Sequence, residues 1–137
     1  MNSHAEILLK ENKNLTFAAV SAKGEYTSKK RGVAPIVDKF DEDSEFFKGA
    51  CVADKVIGKA AAMLLVKYGV KEIYAEVISD HAVNFLTDKN VSLTYNVRVE
   101  YIINRTKTDM CPMEKTVLNI SDETEGEQMI RRKLLCL

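Results

Sequence analysis

The architecture of this chain follows from one junction, residues 48–62, which read KGACVADKVIGKAAA. Its first part, Gly49–Asp54, predicts a short buried strand. The second part opens a helix over Lys55–Tyr68, whose central residues, 60–66, are apolar on nearly all sides. Such a helix is typically buried on several faces, and Gly69 supplies a C-cap. The junction therefore predicts the centre of an α/β core.

Strands and helices alternate on both sides of this junction. Downstream, Lys71–Ile78 predicts a strand, Asp80–Asp88 a helix and Val91–Asn96 another strand. Upstream, Leu15–Ala22 and Glu25–Lys30 predict a β-hairpin. Strand–helix–strand units of this length form right-handed crossovers between parallel strands. We therefore expect a five-stranded mixed sheet in which only the Leu15 strand or its hairpin partner is antiparallel.

The rest of the chain predicts further helices, with helices expected on both faces of the sheet. They cover Ser3–Lys13, Ala34–Phe40, Cys111–Asn119 and a last segment that runs from a cap at Ser121 or Asp122 to about Leu135. No internal repeat or second core is visible. We expect a single domain over residues 1–137.

Composition limits the classes of partner. The 20 basic and 20 acidic residues cancel, which argues against nucleic acid or an anionic membrane as the partner. No apolar run approaches a membrane span, and the N-terminus lacks a signal-peptide pattern. Three scattered cysteines and two separated histidines make neither a disulfide framework nor a local zinc site. We expect a soluble, cytoplasmic domain with no metal and no other cofactor, and homo-oligomerisation stays open.

The first candidate site lies at the strand-to-helix junction. Backbone N–H groups at a helix N-terminus attract anions, and Lys59 can add its charge there, with Asp54 and Lys55 as candidate acid and base. A Walker A loop is excluded, because Ala53 replaces its first Gly and Ala60 its hydroxyl residue. The alternative is structural: Gly58 permits close helix–strand packing and both lysines are solvated.

The second candidate site surrounds Cys111. A thiol just before a helix-opening Pro can sit where the helix dipole favours thiolate. Asp109 and Glu114 would add carboxylates, and Asn104 and Arg105 can converge from the preceding loop. The alternative is that Cys111 is a small buried apolar residue.

A third candidate is the turn at Arg31-Gly32, where the guanidinium can bind a phosphate or a carboxylate. The alternative is an exposed basic turn.

Three segments together resemble a small prokaryotic domain family of unknown function in the cytidine-deaminase-like superfamily. They are residues 31–35 (RGVAP), residues 48–62, and residues 101–105 (YIINR) with 110–115 (MCPMEK). The resemblance covers roughly Leu15 to Ile120. It implies a three-layer α/β/α sandwich, which agrees with the order of elements predicted above.

The chain departs from the active deaminases at their metal ligands. Those enzymes bind zinc with His/Cys-x-Glu at one helix start and Pro-Cys-x-x-Cys at the next. The corresponding residues here, Gly32–Pro35 and Ile57–Ala60, supply no ligand, so we expect no zinc and no hydrolytic deamination. The superfamily also includes a zinc-free transformylase that uses Lys and His on a nucleotide, which makes a Lys59-based site conceivable.

Two functions of different classes follow. In the first, a zinc-free deaminase-like domain, with or without non-hydrolytic catalysis, binds a small anionic or nucleotide-like ligand through Lys59 and Arg31. In the second, a non-catalytic regulatory or protein-interaction domain keeps the same scaffold. Under the first hypothesis we expect Cys111 to approach the N-terminus of the Lys59 helix, which would lower the thiol pKa below its usual value of about 8.5.

Overall fold

Helices and strands alternate along residues 3–104 and 106–136, the residues that the computed structural model describes. The helices are α1 (His4–Glu11), α2 (Ala34–Glu42), α3 (Lys59–Lys67), α4 (Asp80–Leu86), α5 (Pro112–Thr116) and α6 (Glu123–Leu135). The strands are β1 (Phe17–Ser21), β2 (Gly24–Ser28), β3 (Cys51–Ile57), β4 (Glu72–Ser79) and β5 (Ser92–Val99).

The strands form one mixed sheet in the order β2-β1-β3-β4-β5. β1 is antiparallel to both of its neighbours, whereas β3, β4 and β5 are mutually parallel. The predicted five-stranded mixed sheet is confirmed, and the antiparallel strand is the one that contains residues 17–21. Parallel neighbours require crossovers, and α3 and α4 provide them.

The central junction differs from the sequence prediction in where the helix begins. We expected it to start at Lys55, but the strand continues to Ile57 and α3 begins at Lys59. Val56 and Ile57 are β-branched and suit a strand better than a helix. Gly58 then serves as an extended N-cap with φ −95° and ψ 179°. Asp54 and Lys55 are therefore strand residues, not residues of the helix start.

Two hydrophobic clusters hold these elements together. The main cluster contains Phe17 and Ala19 of β1, the buried face of α3, and residues from α2, α4, α5 and α6. Ala18, between those two β1 residues, belongs instead to a smaller cluster beneath α1. Alternate residues of a strand point to opposite faces, so β1 contributes to both clusters. The expected burial of this helix on several faces is confirmed, because Ala60 to Leu65 are all buried and Val66 is partly buried.

The termini of the parallel strands position the functional side chains. Only Gly58 separates β3 from α3, and Ser79 is both the last residue of β4 and the N-cap of α4. The first turns of α3 and α4 therefore lie at the carboxyl ends of neighbouring strands. In the two described ranges, no helix has the length and apolar character needed to cross a membrane.

Candidate functional site

A buried carboxylate from a distant part of the chain caps the N-terminus of α3. Glu114 is 1% exposed, and its Oε2 accepts a hydrogen bond of 2.8 Å from the backbone N–H of Lys59. The Ser79 hydroxyl donates to the same oxygen, while Oε1 accepts from the Ile102 N–H at 2.7 Å. The helix N-terminus that we expected to attract a ligand anion is therefore occupied by a carboxylate of the chain itself.

Gly58 makes room for this arrangement. A Cβ atom placed on it would lie 3.1 Å from Glu114 Oε2 and 3.1 Å from Ile102 Cγ1. Those distances are shorter than ordinary van der Waals contacts, so a side chain at residue 58 would push the Glu114 carboxylate away from α3. The proposed packing role of Gly58 is thus supported, although its neighbours are Glu114 and Ile102 rather than the strand alone.

The side chain of Lys59 points to a different place from its backbone N–H. Its Nζ donates to the carbonyl oxygen of Leu118 at 2.9 Å, and the side chain is partly buried. Burial lowers the pKa of Lys59, and the nearby Glu114 carboxylate opposes that effect.

Lys59 lines an open cleft of about 350 Å³, which we call the Lys59 cleft. Its other lining residues come from α4, from the turn that follows α4, and from the start of the α6 segment. They are His81, Asn84, Phe85, Asp88, Lys89 and Ser121. The cleft thus combines two amines, an imidazole, an amide and an aromatic ring beside a single carboxylate, a set that suits a small anionic ligand.

The Lys89 side chain is held at one side of this cleft. Its Nζ lies 3.6 Å from Glu123 Oε2 and 4.7 Å from the centroid of the Phe85 ring. A partly buried ammonium over an aromatic face is favourable, so these contacts keep Lys89 directed along the wall of the cleft.

Sequence reasoning identified Lys59 but missed the residues that share its cleft, His81 and Asn84 on α4 and Asp88 in the turn that follows. His81, Asn84 and Asp88 are spaced three and four residues apart, which places them on one face of a helical segment. That spacing was the available signal.

The segment Asp109–Glu114 folds back towards α3, but Glu114 rather than Cys111 reaches the helix N-terminus. Cys111 is the N-cap of α5, its N–H donates to Ile102 O at 2.6 Å, and its side chain packs against the main cluster. α5 has only five residues. The structure therefore favours the apolar interpretation of Cys111, and its reactivity stays a prediction.

Asn104 and Asp109 lie in a second cleft, of about 340 Å³, which also includes Lys115 and Lys133. Asn104 Oδ1 accepts from the Thr108 N–H at 3.0 Å, which closes the loop. Asp109 forms an ion pair with Lys115, and the bond from Lys115 lowers the pKa of Asp109. Arg105, expected beside Asn104, lies outside the described residues.

Asp54 and Lys55 line neither of the two described clefts. Lys55 Nζ donates to the carbonyl oxygen of Lys13 at 2.6 Å, which ties β3 to the segment after α1. Asp54 is 5% exposed, and its Oδ1 accepts from the Val56 N–H at 3.2 Å. Within the described chain its Oδ2 has no hydrogen-bond partner. Neither residue lines a described cleft, so an acid or base role beside Lys59 is not supported.

Arg31 and Gly32 are exposed, and Gly32 adopts a left-handed φ of 64° in the turn before α2. Neither residue lines either of the two described clefts. The structure therefore does not bring Arg31 to Lys59, and the exposed-turn alternative is favoured. Across residues 3–104 and 106–136, no three His, Cys, Asp or Glu side chains are grouped so that they could hold a metal ion.

Comparison with known proteins gives a family and a structural relative. Residues 4–134 match the family model described as TM1506, a domain of unknown function (DUF1893). The crystal structure of a DUF1893 family protein (TM1506) from Thermotoga maritima is similar to this chain, with 31% sequence identity and a TM-score of 0.81. The match covers 96% of this chain and 86% of that one. No curated protein matches the sequence. This chain, with its Glu114-capped helix and adjoining cleft, belongs to the DUF1893 family, whose function is unknown.

Proposed function

We propose that this domain binds a small anionic or nucleotide-like ligand in the Lys59 cleft and does so without zinc. We further propose that it is a single domain of the cytidine-deaminase-like superfamily, with the sheet between two layers of helices. The division of β1 between the α1 cluster and the main cluster supports that layering. A mixed sheet whose crossover helices start beside the cleft supports the comparison with the superfamily.

The position and lining of the Lys59 cleft carry the proposal. In open α/β sheets, ligands bind outside the carboxyl ends of the strands, and the cleft adjoins the first turns of α3 and α4. Its volume of about 350 Å³ falls in the range of small-molecule sites. Lys59 and Lys89 supply positive charge for a phosphate or carboxylate, while His81 and Asn84 offer hydrogen bonds to the rest of the ligand.

The residues at two helix starts argue against zinc-dependent hydrolysis as the activity. The superfamily enzymes place their metal ligands at two helix starts, and the corresponding residues Gly32–Pro35 and Ile57–Ala60 have no side chain that ligates zinc. The N-terminus of α3 is instead capped by Glu114. Any chemistry in the cleft would therefore depend on the side chains that line it, which include two amines, an imidazole and the Asp88 carboxylate.

Thermal unfolding in the presence of adenosine monophosphate, cytidine monophosphate or inorganic phosphate tests the binding proposal. A ligand whose free concentration is about a hundred times its Kd stabilises the native state by about 2.7 kcal/mol. A stabilisation of this size is readily detected as a shift in Tm. The shift should fall in Lys59→Gln and Lys89→Gln. It should persist in Lys115→Gln, the matched control in the second cleft. An unchanged Tm of the wild-type protein with all three compounds would contradict the proposal.

A second candidate function is a non-catalytic regulatory or protein-interaction domain. The observation that favours it is the capping of α3 by Glu114, because a helix start that is already satisfied needs no ligand. The same thermal unfolding experiment distinguishes the two candidate functions. A ligand-induced shift that depends on Lys59 supports the binding function, and its absence favours the non-catalytic one.

A further inference from the structure

Lys59 differs from Lys89 and Lys115 in what its ammonium group contacts. Lys89 lies near Glu123 and Lys115 forms an ion pair with Asp109. For Lys59, the described contact of Nζ is the Leu118 carbonyl oxygen, a neutral acceptor. None of the ion pairs found among the described residues includes Lys59. The positive charge of Lys59 is therefore compensated less directly than the charges of Lys89 and Lys115.

The position of Lys59 on α3 also disfavours the charged form of its amine. Lys59 is the first residue of a nine-residue helix, where the helix dipole disfavours a cation. The Glu114 carboxylate offsets this in part, but it binds the backbone N–H and not Nζ. Burial lowers the pKa of Lys59 despite that carboxylate. Desolvation of the amine is one way in which proteins make a lysine nucleophilic.

We propose that Lys59 is a nucleophile that forms an imine with an anionic carbonyl compound bound in the Lys59 cleft. This inference rests on the proposed function, since the cleft must first bind the anion. The ligand class is a 2-oxo acid or a keto-phosphate, because Lys89 on the cleft wall can hold the carboxylate or phosphate while the carbonyl carbon faces Lys59.

The hydrogen bond to Leu118 is compatible with this chemistry. A neutral lysine amine has two N–H bonds and one lone pair. One N–H donates to the Leu118 carbonyl, which fixes the amine and leaves the lone pair free. That lone pair attacks the carbonyl carbon, the π electrons move to oxygen, and one proton passes from nitrogen to that oxygen, giving a carbinolamine.

Loss of water completes the reaction. The C–O bond breaks, the departing oxygen takes a second proton, and the remaining nitrogen proton is lost as the C=N bond forms, so one water leaves for each imine. No oxidant or reductant is needed. An imidazole both accepts and donates protons, and His81 lies in the same cleft, so it can carry the protons between nitrogen and oxygen.

Reductive trapping tests the proposal directly. The protein is incubated with pyruvate or with dihydroxyacetone phosphate, reduced with sodium borohydride, digested and mapped by mass spectrometry. We expect the adduct at Lys59 in at least about tenfold excess over the exposed Lys71. The adduct at residue 59 should be absent in Lys59→Arg, which keeps the charge but forms no imine. Lys89→Gln should lower the yield at Lys59.

Competitive acetylation of the unliganded protein gives a second readout that does not depend on the carbonyl probe. Lys59 should become reactive at a lower pH than Lys71. The inference is overturned if neither compound labels Lys59 preferentially, or if the two lysines have the same acetylation profile. Nucleotide binding that depends on Lys59 in the absence of trapping would overturn only the imine. Failure of both binding and trapping would overturn the proposed function as well.

Discussion

Two carboxylic acids are buried beside the same strand–helix unit, and they have opposite surroundings. Glu114 receives hydrogen bonds from three groups: the N–H of Lys59, the N–H of Ile102 and the hydroxyl of Ser79. Asp54 on β3 receives one described side-chain bond, from the Val56 N–H, and its Oδ2 has no partner among the described residues.

The difference lies in which backbone each acid meets. Glu114 faces the ends of helices and a loop, where N–H groups lack intrahelical partners. Asp54 lies within a sheet between Phe17 and Ala75, its register partners on β1 and β4, where backbone groups are already paired. Burial consequently raises the pKa of Asp54 to about 8, so this acid is mostly protonated at neutral pH. Burial alone therefore does not determine the role of a carboxyl group; the available donors do.

Removing the Glu114 carboxylate should have the largest effect on stability. Glu114→Ala leaves two partly buried N–H donors and one buried hydroxyl without their acceptor, and each such loss costs about 1–3 kcal/mol. We expect the free energy of unfolding to fall by about 4 kcal/mol, measured by urea denaturation. Glu114→Gln should cost less, because its amide oxygen can still accept.

Glu11→Ala is the matched control, since Glu11 is exposed at the end of α1. Its effect should stay within about 0.5 kcal/mol. A Glu114→Ala variant as stable as this control would show that the three donors find other partners, and the comparison with Asp54 would lose its basis.

Asp54 should make stability depend on pH in a defined window. Its folded-state pKa of about 8 lies above the ordinary value of 3.8, so between these limits the unfolded state binds fewer protons than the native state. Stability contributed by the protonated acid is therefore full below about pH 4 and is lost as the pH rises to about 8. We expect a loss on the order of a few kcal/mol.

Asp54→Asn isolates this contribution, because it keeps the shape but cannot titrate. Urea denaturation at a series of pH values measures the free energy of unfolding of both proteins. The value for the variant relative to the wild-type protein should rise from pH 4 to pH 8, and the difference should be constant at higher pH. A stability difference that does not change with pH would mean that Asp54 is ionised in the native state, with donors that pair it as Glu114 is paired.

Gly58→Ala should have the smallest effect on stability, and the size of that effect should depend on the Glu114 side chain. The new Cβ would meet Glu114 Oε2 and Ile102 Cγ1 at 3.1 Å, and overpacking of this kind costs about 1–2 kcal/mol. The backbone at residue 58 has a negative φ, so alanine adds no backbone strain. In a Glu114→Ala background one of the two close atoms is absent, and the cost should shrink.

A double-mutant cycle of Gly58→Ala and Glu114→Ala measures this coupling by urea denaturation. Equal costs of Gly58→Ala in the two backgrounds would show that Ile102 alone, and not the Glu114 carboxylate, requires the glycine.

The sequence alone was sufficient to predict the order of the helices and strands and one residue of the Lys59 cleft. The alternation of apolar segments predicted the hairpin and the parallel strands, and the apolar centre of the 60–66 segment predicted a buried helix. Gly58 and Lys59 were correctly placed near the helix start, because a glycine followed by a lysine stands where an apolar strand ends. The exact boundary was missed because Val56 and Ile57 suit a strand and a buried helix equally well by hydrophobicity.

Local pattern thus determined what each segment becomes, since hydrophobic periodicity and β-branching act over a few neighbouring residues. The partners of each polar side chain were decided only by the tertiary structure. Glu114 meets Lys59 across 55 positions of sequence, and His81 shares a cleft with Lys59 only because the α3 crossover places β3 and β4 side by side and parallel. Among the described residues, Asp54 Oδ2 lacks a partner for the same reason: the donors that could satisfy it are set by which strands flank β3. Hydrogen bonds are short and directional, so their pairing depends on the final packing, which composition and spacing do not encode locally.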